Sequence, residues 1–267
     1  MKYEKDSFMK KIVFMVISMF ALCSCFGMAG EVRERTETAK QIKNQEASAI
    51  ISKMIDSYGG LEKLQAIKGW SFIILREVYP LGETQICKHY VRLPDKFRFE
   101  LEVDREEKKE VFQLIYNAGS IKYLKDGKET EKTSSEIFLT LERMVRWYQR
   151  TQAPTQFKYF NNIKNEMKLI GKKSIKGKEC YVLEYLRADG TKARICVDTE
   201  TFRAVKLEVD NNYNDKFLEI FLGEQTFKEN GIEIPVIRRY YNDGELMSKT
   251  EHRSISLTLP DESLFEF

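Results

Sequence analysis

The chain has 267 residues, of which 42% are hydrophobic and 32% charged, with only 14 glycines and 5 prolines. This composition is that of a folded protein, not of a disordered or collagen-like one. The 44 basic and 41 acidic residues are interspersed and give a net charge of +3, so no nucleic-acid partner is expected. The chain has two histidines, His89 and His252, which excludes most histidine-based metal sites and catalytic triads.

The N-terminus carries the pattern of an export signal. Lys10 and Lys11 precede an apolar run from Ile12 to Leu22, and small residues follow the run. This order is typical of a signal peptide, and the run is shorter than the roughly 20 residues that a membrane-spanning helix needs. We therefore expect the protein to be exported.

Two cleavage sites are compatible with this signal. Leu22-Cys23-Ser24-Cys25 is similar to a bacterial lipobox, which would remove residues 1–24 and leave a lipidated Cys25 that associates with a membrane surface. Gly27-Met28-Ala29 instead fits ordinary signal peptidase, which would remove residues 1–29. Residues 30–46 are strongly charged and are predicted to form a tether before a single domain over residues 47–267.

Two helices are predicted at the start of this domain. Apolar residues recur at helical spacing from Ile50 to Tyr58, and Gly59-Gly60 end the helix because glycine readily adopts positive φ. A short second helix follows from Leu61 to Lys68.

From Trp70 onward the hydrophobic period changes to two. Between residues 96 and 103, four apolar side chains alternate with charged ones, which predicts a strand with one buried face. Turn sequences such as Asp126-Gly127 and Asp243-Gly244 recur mostly ten to thirty residues apart. These short connections predict neighbouring antiparallel strands, about ten or eleven in all.

An amphipathic helix near residues 134–150 interrupts the strands. Thr133 and Glu136 form a capping box, after which apolar residues share one face and charged residues the other. The helix either fills the core of a curved sheet or forms a lid over a cavity.

The sequence offers few groups for catalysis or metal binding. No HExxH, GxSxG or GxGxxG motif occurs, and His89 and His252 have no Cys or His nearby at ligand spacing, so both are interpreted as structural or solvent-facing. Carboxylates alternate with basic residues, as on a solvated face. We therefore predict that the protein is not an enzyme and has neither a metal nor another cofactor.

The cysteines after the signal do not indicate a disulfide framework. Cys87, Cys180 and Cys196 are odd in number and form no CxxC pair, so buried free thiols are expected. A two-residue turn at Asp189-Gly190 would place Cys196 opposite Leu183 and Cys180 on the other face of the hairpin. This register argues against a bridge between those two cysteines.

Several stretches of the sequence resemble the outer-membrane lipoprotein-sorting (LolA-like) proteins, and together they span roughly residues 47–266. They are the helix closed by Gly59-Gly60, the run from Leu61 to Lys68 before the first strand, the stretch from Cys180 to Glu208, and the shorter segments 231–235, 240–245 and 261–265. The resemblance implies a mainly β (α+β) fold: an incompletely closed antiparallel β-barrel with covering helices, whose concave side holds acyl chains.

On this basis we expect a protein of the periplasm or outer membrane that binds lipid or lipoprotein acyl chains, in outer-membrane lipoprotein sorting. The alternative is a non-transport sensor or assembly module that uses the same fold to bind an envelope protein. The third possibility is that the protein is an enzyme, which would require Asp and Glu side chains clustered with a histidine in a cleft. The residues expected to line the cavity are Phe97, Phe99, Leu101, Val103, Ile137, Leu141, Met144, Tyr148, Leu183 and Tyr185.

Overall fold

The computed structural model describes residues 44–105, 108–129, 153–187, 190–211 and 216–267. The chain divides into two units, Met1–Glu46 and Ala47–Phe267, and the site described below belongs to the second. Several predictions lie outside the described residues. They are the signal peptide, Cys25, most of the charged tether, and the lid helix near 134–150 with Ile137, Leu141, Met144 and Tyr148.

The described residues form three α-helices: α1 over 44–57, α2 over Leu61–Ala66 and α3 over Ala153–Ile163. The predicted stop of α1 is confirmed, because Gly59 and Gly60 have φ of 117° and 89°. The end of α1 meets a hairpin at 226–235, where the Glu233 N–H donates to the Tyr58 carbonyl at 3.1 Å. Among the described residues, no helix combines the length and the apolar character that crossing a bilayer would require.

Fifteen strands occur in the described residues, more than the ten or eleven expected. The additional strands are short, and segments of two or four residues are too brief to show a period of two. The strands are β1 (Gly69–Val78), β2 (Glu83–Arg92), β3 (Lys96–Arg105), β4 (Lys108–Asn117), β5 (Ser120–Lys125), β6 (Lys128–Glu129), β7 (Lys168–Ile175), β8 (Lys178–Leu186), β9 (Lys192–Asp198), β10 (Ala204–Asn211), β11 (Lys216–Leu222), β12 (Thr226–Glu229), β13 (Ile232–Pro235), β14 (Ile237–Asn242) and β15 (Glu245–Ser256).

Thirteen of these strands form one antiparallel sheet in the order β6-β5-β4-β3-β2-β1-β15-β14-β11-β10-β9-β8-β7, while β12 and β13 form a separate hairpin. The first and last strands, β1 and β15, pair with each other near the middle of the sheet. In the described part of the chain the edge strands β6 and β7 do not pair, so the sheet is not closed. The predicted fold, an incompletely closed antiparallel barrel with helices, is confirmed.

The helices cover the inner face of the sheet over β8–β11. The rings of Tyr58 at the end of α1 and Phe157 of α3 lie 4.4 Å apart, and Phe160 of α3 meets Tyr185 of β8 edge to face at 5.6 Å. The Lys158 ammonium donates to the Ile67 carbonyl at 3.2 Å and ties α3 to the end of α2. Apolar side chains of α1, α3 and the strands form one continuous buried cluster.

The hairpin of β8 and β9 differs from its predicted register by one residue. Cys196 pairs with Val182, not Leu183, because the Arg187 N–H donates to the Thr191 carbonyl at 2.8 Å and Leu186 pairs with Lys192. A shift of one residue moves every side chain to the opposite face. Cys180 and Cys196 therefore share a face and a small buried cluster, contrary to the prediction. Both cysteines, like Cys87, are buried free thiols, as expected.

Candidate ligand-binding site

A cavity of about 280 Å³ lies on the inner face of the sheet, against the central strands β1, β2, β14 and β15. Unlike the inner face over β8–β11, this region has a lining made up of strand side chains. The lining combines apolar, hydroxyl, imidazole and guanidinium groups. It consists of Ile74, Arg76, Cys87, His89, Leu218, Arg238, Tyr240, Met247, Ser248, Thr250 and His252.

A bulge in β15 determines which of its side chains reach this cavity. Ser254 pairs with Ile73, but His252 pairs with Ile74, so Arg253 is the extra residue. A bulge of one residue exchanges the inward and outward positions that follow it. As a result Thr250 and His252 are buried in the cavity wall, while Arg253 is exposed.

A second bulge in β15 lies beside the same cavity. Ser248 pairs with Tyr240 and Leu246 with Tyr241, which leaves Met247 as the extra residue. Met247 and Ser248 both line the cavity as a result. The thioether of a methionine adapts its shape readily, so this part of the wall can adjust to a ligand.

Two arginines project into the cavity from opposite sides of Thr250. Arg76 of β1 and Arg238 of β14 both pair with Thr250 of β15, so the three side chains form a row across adjacent strands. Strands are about 4.8 Å apart, which separates the two arginine Cα atoms by about 10 Å. Arg238 is 8% exposed and its Nε has no hydrogen-bond partner. No carboxylate lines the cavity, and none in the described residues pairs with either arginine.

The two histidines meet in the wall of this cavity. They were expected to be structural or solvent-facing; His89 is 1% and His252 7% exposed. The Nδ1 of His252 lies 3.1 Å from the Val236 carbonyl oxygen, which can only accept, so Nδ1 carries the proton and Nε2 the lone pair. That Nε2 has no hydrogen-bond partner.

Both imidazoles are neutral in the folded protein. Burial, helped by the charge of Arg238, lowers the pKa of His89 and of His252 to about 3. The electrostatic character of the cavity therefore comes from its two arginines. In the described part of the chain, no three or more His, Cys, Asp or Glu side chains are grouped to hold a metal ion.

Aromatic rings adjoin the histidines on the inner face. Phe72 contacts His252 edge to face, with ring centroids 5.1 Å apart. The ring of His89 lies 4.9 Å from that of Phe99 and 6.2 Å from that of Phe97. The cationic row of Arg76 and Arg238 thus belongs to the cavity, while the aromatic rings that contact its two histidines belong to the adjoining core.

The predicted cavity-lining residues on β3 and β8 lie on the inner face but outside the lining of this cavity. Phe97, Val103 and Leu183 are almost fully buried and Tyr185 is 8% exposed, while Phe99 and Leu101 are partly buried. Five of these six belong to the main core cluster or pack against it. Their contact with a ligand stays a prediction.

Sequence reasoning missed the arginines of the site. Arg238 and Arg239 are adjacent in a strand, so alternation requires one of them to point inward, and this signal was available. Arg76 follows the run Phe72-Ile73-Ile74-Leu75, whose apolar residues on both faces hide the alternation. Only the pairing of β1 with β15 and of β15 with β14 brings both arginines to Thr250.

A second cavity, of about 440 Å³, lies near the end of β10 and β11. Two of its four cations, Lys178 and Arg203, are paired with carboxylates. The ammonium of Lys178 lies 2.7 Å from a Glu224 carboxylate oxygen, and Arg203 pairs with Glu233. The cavity beside Arg76 and Arg238 differs in containing a buried cation, Arg238, and no carboxylate in its lining, and it is the candidate site for a ligand.

Comparison with known proteins supports the fold. No protein-family model matches the chain. It is 26% identical over 168 residues to an uncharacterized protein of Methanocaldococcus jannaschii, a match that covers 61% of this chain and 44% of that protein. The chain therefore spans less than half the length of this relative.

Two solved structures are similar to the chain. One is a DUF1329 family protein from Desulfovibrio piger, with a TM-score of 0.52 and 13% identity over 84% of this chain and 97% of that one. This likeness establishes a shared fold. The other is a LolA superfamily protein from Nitrosomonas europaea, with a TM-score of 0.44 and 12% identity over 83% of this chain and 97% of that one.

Proposed function

We propose that this protein is an exported envelope protein that binds an acyl chain of a lipid or lipoprotein beneath its open sheet. The observation that carries the proposal is the cavity of about 280 Å³ on the inner face, with Ile74, Leu218 and Met247 in its walls. Export is supported by the signal-peptide pattern at Lys10 to Leu22. Resemblance to the lipoprotein-sorting proteins favours a cargo of that type.

The size of the cavity favours one chain over a bulky multi-chain lipid. Small-molecule sites typically enclose about 300–1,000 Å³, and this cavity, at about 280 Å³, is just below that range. Each methylene moved from water into such walls contributes about 0.8 kcal/mol. About ten buried methylenes would contribute roughly 8 kcal/mol before the costs of association and ordering.

We further propose that the site binds its ligand without chemical reaction. The lining contains no carboxylate, so a general base would have to be His89 or His252, and a pKa of about 3 makes both imidazoles weak bases that would activate a hydroxyl such as that of Ser248 poorly. Burial raises the pKa of the Cys87 thiol to about 11, which keeps it protonated and unreactive. Apolar walls and hydrogen-bond donors are sufficient for binding.

Native mass spectrometry of the protein purified from cell envelopes, combined with titration of a fluorescent fatty-acid probe, tests the proposal. We expect an additional mass of one lipid and saturable probe binding. The Ile74→Trp variant fills the cavity and should abolish probe binding. The control is Ile73→Trp, because Ile73 is 38% exposed and points to the other face.

Two results would contradict acyl binding. One is recovery of ligand-free protein with no probe binding by the wild type. The other is equal probe binding by Ile74→Trp and Ile73→Trp when both variants unfold at the temperature of the wild type. Ligand-free protein cross-linked to an envelope protein in intact cells would favour the alternative function, binding of a protein partner.

A further inference from the structure

Arg238 is a buried cation that forms no ion pair with any carboxylate of the described residues. Moving a charged group out of water is costly unless a partner or hydrogen bonds compensate it, and buried charges in proteins are therefore normally paired. Arg238 is only 8% exposed, its Nε has no acceptor, and no ion pair with a described carboxylate compensates it. The fold thus retains a charge that its own described residues leave uncompensated.

Other cations of the same sheet show that the fold can supply partners. Lys206 is 5% exposed, and its ammonium lies 2.8 Å from a Glu208 carboxylate oxygen and also contacts Glu219. Arg194 donates from both Nε and Nη2 to Glu184 at 3.1 Å. These two cations of the sheet are thus paired with carboxylates, whereas Arg238 pairs with none in the described residues.

The groups around Arg238 are suited to an oxyanion. Arg76 lies on the opposite side of Thr250 from Arg238, and Ser248 and Tyr240 add hydroxyl groups to the cavity lining. Guanidinium groups bind carboxylate and phosphate oxygens through paired, charge-assisted hydrogen bonds. With neither Asp nor Glu in the lining, nothing there repels an anion.

We propose that the cavity selects an acyl ligand with an anionic headgroup, a carboxylate or a phosphate, which Arg238 and Arg76 bind while the chain extends along the apolar wall. This inference rests on the proposed acyl-binding function and adds the class of headgroup. The chain would extend from the two arginines toward the aromatic core, which begins at Phe72 where its ring contacts His252 edge to face.

Displacement of a fluorescent fatty-acid probe from the full-length protein tests the inference. The competitors are palmitate, hexadecyl phosphate and the neutral hexadecanol, which share one chain length and differ in the headgroup. We expect at least one anionic competitor to bind about tenfold or more tightly than hexadecanol. Palmitate alone would identify a fatty acid, and hexadecyl phosphate alone a phosphate headgroup.

Charge-removing variants then locate the headgroup. Arg238→Met should remove the preference for the anion and leave the affinity for hexadecanol within about twofold, and Arg76→Met should reduce the preference. The matched control is Arg253→Met, because Arg253 is exposed on the outer side of β15 and pairs with Glu251 at 3.3 Å. Thermal unfolding of each variant checks that it folds.

The outcomes separate the headgroup from the proposed function. Equal affinity of wild-type protein for palmitate, hexadecyl phosphate and hexadecanol would overturn the headgroup inference and leave acyl binding intact. An anion preference that persists in both folded variants, Arg238→Met and Arg76→Met, would also overturn it. Failure of the probe and of every competitor to bind would instead overturn the proposed function.

Discussion

His252 and Phe72 meet edge to face on the inner face of the sheet, with their ring centroids 5.1 Å apart. His252 belongs to the polar lining of the cavity, whereas Phe72 is 1% exposed and belongs to the main core. The contact therefore joins the cationic row to the apolar core. A proton added to His252 would introduce a charge beside this core and near Arg238.

Acid should destabilise the protein through its two histidines. Burial and Arg238 lower the pKa of His89 and His252 to about 3, while in the unfolded chain both titrate near 6.5. Below about pH 6.5 the unfolded state binds more protons, so stability is lost as the pH falls toward 3. Well below pH 6.5, where the unfolded chain is protonated at both positions, each histidine lowers the free energy of unfolding by about 1.4 kcal/mol for each pH unit.

Urea unfolding between about pH 7.5 and pH 5 measures how the free energy of unfolding changes with pH. His252→Asn keeps a polar side chain but removes one titrating group, so near pH 5 the loss of stability per pH unit should be smaller by about one proton's contribution, and near pH 7.5 by much less. If the free energy of unfolding depended on pH in the same way in the wild type and the variant, His252 would not titrate as described.

The two glycines after α1 should differ in their tolerance of a side chain. A Cβ on Gly59 would lie 2.4 Å from the Gly231 carbonyl oxygen, whereas a Cβ on Gly60 would meet nothing within 4 Å. Both have positive φ, so alanine introduces about 1–2 kcal/mol of backbone strain at either position. Gly59→Ala should cost clearly more, because the end of the helix must also separate from the 226–235 hairpin.

Unfolding free energies from urea titration of the two variants check this difference. Gly60→Ala is the control, since it shares the positive φ without the close contact. If Gly59→Ala and Gly60→Ala lost equal amounts of unfolding free energy, the contact of Gly59 with Gly231 would not be tight in solution.

The sequence was informative where structure is decided locally. The stop at Gly59-Gly60 follows from glycine's freedom at positive φ, and the strand over 96–103 follows from strict alternation. The bulge at Arg253 could not be predicted, because polar residues on both faces of β15 give no indication of the register. The arginine row depends on pairing between β1 and β15, which are separated by most of the domain.

The three cysteines of the domain should be unreactive in the folded protein. Burial raises the pKa of Cys196 to about 12 and of Cys87 to about 11, and it also raises that of Cys180. Only the thiolate is alkylated at an appreciable rate, and very little is present near neutral pH. Peptide-resolved mass spectrometry after iodoacetamide treatment should show these cysteines unmodified, and alkylated once urea is added.

The register of β8 and β9 makes one alternative outcome possible. Cys180 and Cys196 lie on the same face of the hairpin and in one buried cluster. A peptide cross-linked between them, recovered without prior oxidation, would contradict the assignment of free thiols. Recovery of both peptides in reduced form would confirm it.

Removal of the charge of Arg238 should stabilise the ligand-free protein. Arg238 is 8% exposed and pairs with no carboxylate of the described residues, and desolvation penalises a buried cation of this kind. Methionine preserves most of the volume and removes the charge, so Arg238→Met should raise the unfolding free energy by about 1 kcal/mol or more. The control is Arg194→Met, which leaves Glu184 without its partner and should lower stability by roughly 0.5–1 kcal/mol. Urea unfolding measures both changes. A gain in unfolding free energy for Arg238→Met with a loss for Arg194→Met would show that Arg238 is kept for binding at the expense of stability. A loss in both variants would show that the guanidinium of Arg238 supports the fold itself.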